Sequence, residues 1–455
     1  DTSVKLEADN SEFFSRTPDS NSNRQTFTYS TWVKRTELGI NGAILDAYQD
    51  GSNFFLLQFD TSDRFVVYQI DSGTDYGYHY TRRYRDTAAW YHIVFVSDTT
   101  NGTAANRYQL YVNGERILNS DIDTDYGTPP QNYNNNLNST IVHSIGKRGD
   151  GAIYNSCYLA ETHLVDGTAL APTAFGEYDD SGIWKPIEVD VTYGTNGFYL
   201  NYITASDMGN DKSGENNDWA ENNIAAADQA TDTPTNNFAT FNILSPTYAS
   251  SVINEGSTKI VSNGAGTFDN VPSTMAVTKG KWYCEMEPQV DSASRNTAFG
   301  VVNLDSAVFD TSWYNNVGFW GAGFDDGRKI WYYFNGGQSP GNTGHGSSVV
   351  VNYGTGSGDT AGTIGMAFDL DNGTLKFYIR NTQTSIAASS IPSGTYAFFA
   401  DVQGSGAPYL NFNFGGYTVN SISSAASDAN GYGSFEYAPP SGYYALCTKN
   451  LAEYG

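Results

Sequence analysis

The chain has 455 residues and carries 49 Asp and Glu against 24 Lys and Arg, a formal net charge of −25. Such a surface repels polyanions, and so few basic residues can form no more than one small patch; this argues against nucleic acid as a partner and leaves cations and neutral sugars as the expected ligands. At roughly 100–200 residues per domain the length suits two to three domains, and an aromatic content of 15% excludes a mainly disordered chain.

Charged residues are only 16%, so polarity comes from Asn, Ser, Thr, Gly and Tyr, as in extracellular β-proteins. Three cysteines, Cys157, Cys284 and Cys447, are too few for a disulfide scaffold, and an odd count leaves one unpaired within the chain; buried free thiols are expected. No stretch approaches the ~18 apolar residues of a membrane helix, which predicts a soluble chain. No signal-like segment follows Asp1, so that residue is expected to be a processed or chosen end.

Along the chain, residues 26–34 (TFTYSTWVK) alternate as a strand and 43–47 give a second short run. Residues 54–60 and 64–71 flank the turn Thr61-Ser62-Asp63, and 107–112 and 115–118 flank Asn113-Gly114, the strongest short hairpin signal because both turn residues tolerate positive φ. Between these hairpins, 89–97 (AWYHIVFVS) reads as a buried strand. Helical periodicity is nearly absent. From about 186 to 246 the composition shifts: a strand-like 197–202 (GFYLNY) gives way to an Asn/Asp-rich stretch with one short candidate helix at 224–230, read together as a connector.

Strand patterning resumes at 281–287 (KWYCEME), 297–302, 317–322 and 329–334. Residues 363–370 and 374–380 flank Asp371-Asn372-Gly373 as another hairpin, and 396–402 and 409–414 complete the pattern. AAWYHIVFV at 88–96 and GKWYCEMEP at 280–288 each place Trp-Tyr at the head of a strand, a faint internal similarity between the halves.

Residues 1–186 resemble a laminin-G or concanavalin-A-like jelly roll through FTYSTWVKR, AWYHIVFV and RYQLYVNGERI. The segment YLAETHLVDGTALAPTAFGEYDDSGIWKP at 158–186 resembles the closing strand and tail of laminin-G-like domains in structural proteins of marine tailed phages, as does DTPTNNFATFN at 232–242. Residues 250–449 resemble a SPRY domain through KGKWYCEME, AGTIGMAFDLDNGTLKFYIRN, YLNFNFG and FEYAPPSGYYALCTKNL. The resemblance implies an all-β chain of two concanavalin-A-like jelly-roll sandwiches, 1–186 and 247–455, joined by the connector 187–246. It also implies a virion surface protein of a phage, a fibre or a decoration of head or tail.

Catalysis is not expected. Glycoside hydrolases of this superfamily carry an E-x-D-x-x-E strand, whereas Glu285 and Glu287 share a strand face but Pro288 stands where the pattern should continue, so the pair reads as a solvated sheet face. Glu161 and His163 also share a strand face and read as an edge pair. The chain holds five His and no His-Glu-x-x-His, Gly-x-Ser-x-Gly or Walker-type loop. Arg148-Gly149-Asp150 is read as a chance tripeptide. The sequons at Asn101, Asn138 and Asn372 matter only on a eukaryotic secretory route.

Calcium is the metal these loops would take, since hard cations want several oxygen ligands. Laminin-G-like domains hold it at one end of the sandwich by an Asp just before a strand, and Asp50 matches that place; Asp121, Asp123 and Asp125 alternate in a polar loop that would fold over the same rim. Solvated loop acids are the rival reading. In the second half, Trp313, Tyr314, Trp320, Asp325 and Trp331 mix rings with acids and amides, as loops that grip sugars or peptides do; core residues on strands are the rival reading for the rings, and the favoured one for Trp320 and Trp331. SPRY domains bind partners through loops at one end, where Trp313 and Tyr314 would fall.

The expectation is therefore a non-enzymatic protein of the virion surface, extracellular and homo-oligomeric on its particle, attaching to host glycan or protein and contacting other virion proteins, with neither nucleic acid nor membrane insertion. An architectural decoration, a depolymerase and a secreted bacterial adhesin are the rivals.

Overall fold

The computed structural model describes residues 1–151, 153–245, 251–262, 270–288, 295–307, 318–324, 330–334, 337–338, 362–404 and 408–455. Their regular structure is almost wholly β, with one short α-helix, α1 (Thr448–Tyr454). The chain divides into two compact units, Asp1–Thr235 and Asn236–Gly455.

In the first unit one sheet has the order β10 (Glu115–Arg116), β9 (Tyr108–Val112), β8 (Trp90–Asp98), β3 (Thr26–Arg35), β15 (Cys157–Asp166), β1 (Ser3–Leu6) and β20 (Gln229–Ala230), with β18 (Phe198–Leu200) also paired to β15. A second sheet runs β11 (Ile122–Gly127), β7 (Thr74–Arg83), β6 (Arg64–Asp71), β5 (Asn53–Phe59), β4 (Gly42–Asp50), β12 (Val142–Ile145), β2 (Phe13–Arg16) and β19 (Ala220–Asn222). Two small hairpins join β13 (Lys147–Arg148) to β14 (Ile153–Tyr154) and β16 (Gly176–Tyr178) to β17 (Trp184–Pro186). The Asn113-Gly114 turn forms as expected, with φ of 49° and 80°.

Strand alternation sorts the side chains between two faces. Phe27, Tyr29 and Val33 of β3 and Ile93 and Phe95 of β8 meet Phe55, Leu57, Phe59, Phe65 and Val67 in the sandwich core. The opposite face of β3 and β8 is not open to water: Trp32, Lys34, Trp90, His92, Val94 and Val96 are all buried. Phe175 and Tyr193, with Leu170, Val189, Val191 and Tyr199, cover Val94 and Val96.

Part of the expected connector is thereby corrected. Residues 187–235 belong to the first unit: β18, β19 and β20 add to its sheets, and Phe198, Leu200, Met208 and Trp219 enter its core. Asn/Asp richness misled because these amides and acids are hydrogen-bonded inside the fold. Asp211 accepts from the backbone N–H of Tyr199, Ser213 and Asn217, and Asn217 donates to the carbonyls of Thr195 and Gly197. The candidate helix at 224–230 is a single 3₁₀ turn, Ala226–Asp228, followed by β20.

In the second unit one sheet runs β21 (Ser251–Asn254), β22 (Lys259–Ser262), β33 (Tyr409–Asn413), β24 (Lys281–Pro288), β29 (Ile364–Asp369), β30 (Thr374–Ile379) and β31 (Thr382–Ala388), with β34 (Tyr444–Ala445) beside β24. The other runs β23 (Val271–Pro272), β32 (Tyr396–Gly404), β25 (Arg295–Asn303), β26 (Phe319–Phe324), β27 (Ile330–Phe334) and β28 (Gly337–Gln338). Trp282, Phe299, Phe368, Phe398 and Phe412 lie in the core of this unit. The Trp-Tyr similarity between the halves does not extend to packing, since Trp282 is a core residue whereas Trp90 lies on the outer face of its sheet and donates its indole N–H to Asp232 at 2.9 Å.

Candidate functional site

A groove of about 740 Å³ opens on the first unit. The end of β7 and the chain after it supply Arg82, Arg83 and Tyr84; β8 supplies Trp90 and Tyr91; the β9–β10 turn supplies Val112, Asn113 and Glu115; and the β16–β17 hairpin supplies Tyr178, Gly182, Ile183 and Trp184. Tyr178 and Ile183 are 53% and 63% exposed.

The rings of the groove continue a stack that starts inside the sheet. Trp32 and His92 lie parallel at 4.7 Å, His92 and Trp184 at 5.9 Å, and Tyr178 meets Trp184 edge-on at 4.9 Å. Each such pair contributes about 0.5–1.5 kcal/mol beyond its burial. The indole N–H of Trp184 donates to His92 Nδ1 at 2.9 Å, and the phenol of Tyr178 donates to the carbonyl of Asn113 at 3.1 Å. Two glycines admit the indole: a Cβ at Gly114 or at Gly176 would stand 2.7 Å from its ring atoms. The hairpin is thus pinned to the sheet and its rings hold their positions without a ligand, which lowers the ordering cost of binding.

Charge in the groove differs from that of the whole chain. Arg82 lies 3.7 Å from Glu115 and 3.5 Å from Asp121, whereas Arg83 has no ion-pair or hydrogen-bond partner for its side chain among the described residues. Burial pushes the Tyr91 phenol up to about 12 and raises that of Tyr84, so both remain protonated at neutral pH.

Ser30 and His92 look like a hydrolytic dyad, with Ser30 Oγ 2.8 Å from His92 Nε2. The tautomer opposes that chemistry. Because Trp184 donates to Nδ1, the imidazole proton resides on Nε2 and is donated to Ser30, so His92 cannot take the hydroxyl proton. Burial pushes His92 down to about 3, and both residues are fully buried.

Glu161 and His163, expected as an edge pair, lie instead inside the sheet: β15 is flanked by β3 on one side and by β1 and β18 on the other, and the pair stands at a β-bulge where pairing to β3 skips between Ala160 and His163 and Glu161 takes φ 48°. Glu161 accepts from the Tyr199 phenol at 2.5 Å, His163 stacks on Tyr199 at 4.2 Å and hydrogen-bonds Tyr193. Beside it is a smaller pocket of about 300 Å³ lined by Ala160, Glu161, Pro186, Tyr199 and Pro234 among others.

The carboxylates expected to share a calcium rim do not converge. Asp50 closes the β4–β5 turn by accepting from Ser52 N at 2.8 Å and Asn53 Nδ2 at 3.0 Å. Asn53 pairs with Asp71 at the far end of β6, while Asp123 pairs with Arg64 at its beginning, so the eight residues of β6 hold them roughly 20–25 Å apart. Asp121 faces Arg82, and Asp125 accepts from Gly127 N at 2.8 Å. Among the described residues no three His, Cys, Asp or Glu side chains gather as metal ligands. This donor set does not fit one shared cation.

The second-unit candidates fare differently. Trp320 takes the core reading rather than the ligand-binding one: it is 6% exposed, stands on β26 between β25 and β27, and packs in the core. Trp313, Tyr314 and Asp325 lie outside the described residues, as does the side chain of Trp331, whose backbone belongs to β27. Glu285 does not lie on a solvated sheet face. It is 1% exposed and accepts from Glu436 N, Tyr437 N, the Tyr283 phenol and Asn413, anchoring the segment around 436–437; Glu287 accepts from Thr363. Arg148 pairs with Asp150 at 2.9 Å and lies over the Phe54 ring, and all three cysteines are free and buried.

Sequence reasoning missed Tyr178, Trp184, Arg82 and Arg83. The run TRRYRD at 81–86, three arginines within four positions of an acidic chain, was the available signal.

Residues 10–173 match a laminin-G family described as the concanavalin A-like lectin/glucanases superfamily, so the first unit carries a concanavalin-A-like domain. No curated protein matches the chain. Among solved structures the chain is similar to the PSpry domain of TRIM65, at 17% identity and TM-score 0.27 over 38% of this chain and 91% of that one. It is similar to the SPRY domain of human HERC1 at 12% identity and TM-score 0.27 over 36% and 91%. Stonustoxin follows at 17% identity and TM-score 0.26 over 38% and 27%.

Proposed function

We propose that this chain is a non-enzymatic attachment protein that grips a host surface glycan in the groove of its first unit, displayed as a homo-oligomer on the outside of a phage particle. The observation that carries the reading is the pinned ring pair Trp184 and Tyr178 beside Arg82 and Arg83: flat apolar faces with charge-bearing donors at their edge suit a sugar ring and its substituents. The virion setting is supported by the resemblance of segments 158–186 and 232–242 to phage structural proteins. A non-catalytic role is supported by the tautomer of His92 and by the burial of Glu285 under hydrogen bonds.

The test is binding of the purified chain to an array of algal and bacterial surface polysaccharides, with calcium and with a chelator, beside a Tyr178→Ala variant. Selective binding that Tyr178→Ala weakens tenfold or more supports the groove. Silence of the parent across the array would overturn attachment in favour of an architectural role, and release of reducing ends would overturn the non-catalytic one.

A further inference from the structure

We infer that the groove selects sugars bearing a carboxylate, with Arg83 as the residue that reads the charge; this rests on the groove being the glycan site. The whole-chain charge of −25 points the other way and makes neutral sugars the simple expectation. At 0.1 M salt, however, exposed charges are screened over about 10 Å, so a bound sugar responds to the charges that line its site rather than to the distant surface. That lining carries Arg82 and Arg83 against Glu115 alone.

The two arginines are not equivalent. Arg82 is engaged by Glu115 and Asp121, which hold its guanidinium at the rim. Arg83 is exposed and has no ion-pair partner among the described residues. A guanidinium presents a planar fork of donors that a carboxylate fills with two parallel hydrogen bonds, a geometry that rewards a flat acid. The Tyr178 and Trp184 rings on the facing hairpin give the pyranose an apolar face to lie against. The groove, at about 740 Å³, has room for a short oligosaccharide rather than one sugar. An acidic sugar therefore meets an unpaired fork and an aromatic platform in one concavity, and a neutral one meets only the platform.

The experiment compares oligogalacturonate and oligomannuronate with their methyl esters, which keep the sugar and remove the charge, by calorimetry on the full chain. The parent should bind at least one free acid tenfold or more tightly than its ester, with the preference falling as salt rises. Arg83→Ala should reduce that preference to within about twofold while the weak binding of the ester persists, and Tyr178→Ala should weaken acid and ester together. Equal binding of acid and ester, both lost in Tyr178→Ala, would overturn the charge selection and leave the glycan groove standing. No binding of any acid would overturn the selection too, and joined to a silent polysaccharide array it would remove the groove reading as well. Displacement of the bound acid by oligoglutamate at equal concentration would show that charge alone is read, against a sugar-specific site.

Discussion

The indole N–H of Trp184 donates to Nδ1 of His92 at 2.9 Å, tying a surface hairpin to a fully buried imidazole. That one bond fixes the tautomer, removes Ser30 from hydrolytic chemistry and sets the rings that line the groove. Trp184→Phe keeps a ring and leaves Nδ1 without its donor, so it should cost about 1–3 kcal/mol and weaken glycan binding. Denaturant midpoints of parent and variant check the first effect, and an unchanged midpoint would contradict the bond's role.

Gly114 sits at φ 80° with its Cα against the same indole. Gly114→Ala adds a left-handed penalty of about 1–2 kcal/mol and drives a Cβ into the ring. The expected outcome is a folded protein of lower stability whose groove no longer binds. Binding at parental strength would mean that the position of Trp184 is immaterial to the ligand.

Lys34 and Asp232 form a buried ion pair at 2.7 Å, and the same carboxylate accepts from Trp90. Removing one partner leaves a buried charge, so Asp232→Ala should destabilise the protein by about 3–5 kcal/mol, whereas Lys34→Met with Asp232→Leu should cost far less. Thermal unfolding of the single and double variants decides this. A mild single variant would contradict the placement of 225–235 inside the first unit.

Burial pushes the carboxyls of Asp46 and Glu285 up to about 7. For an acid raised on folding, the stabilising contribution is present below about pH 4 and is lost as pH rises toward 7. His92 and His163 are pushed down to about 3 and His143 to about 4, so their contribution is lost as pH falls from about 6.5. Asp46→Asn isolates the first effect, because it keeps an acceptor for Gly149 N and cannot ionise. Relative to the parent it should gain stability between pH 4 and pH 8, by about 4 kcal/mol at most. A difference that does not vary with pH would show that Asp46 titrates normally.

Glu285 accepts four hydrogen bonds, two on each oxygen. Glu285→Gln turns one oxygen into a donor facing donors and should cost about 1–3 kcal/mol, with faster hydrogen exchange at Glu436 and Tyr437. Parental stability and exchange would restore the reading of this residue as a solvated acid.

Much of the fold was legible because strands announce themselves locally. The alternation of 26–34, the Asn113-Gly114 turn and the hairpin around Asp371-Asn372-Gly373 stand where the pattern puts them. The tail from 187 to 235 was not legible, since its amides and acids are satisfied by partners far away in sequence, as when Asp232 meets Lys34 across 198 positions. The site was hidden for a similar reason. Trp184 and His92 are 92 positions apart, and only folding brings the TRRYRD arginines beside the β16–β17 hairpin. Rings near acids in 313–331 looked like a ligand loop, yet periodicity could not tell the core Trp320 from an exposed one.

Hydrogen–deuterium exchange of the full chain, with and without the strongest-binding polysaccharide of the array, tests the central claim most directly. The account predicts protection confined to 82–84, 90–91, 112–115 and 178–184, the segments that line the groove. Protection confined to the second unit, with those segments unchanged, would contradict it and place the ligand elsewhere.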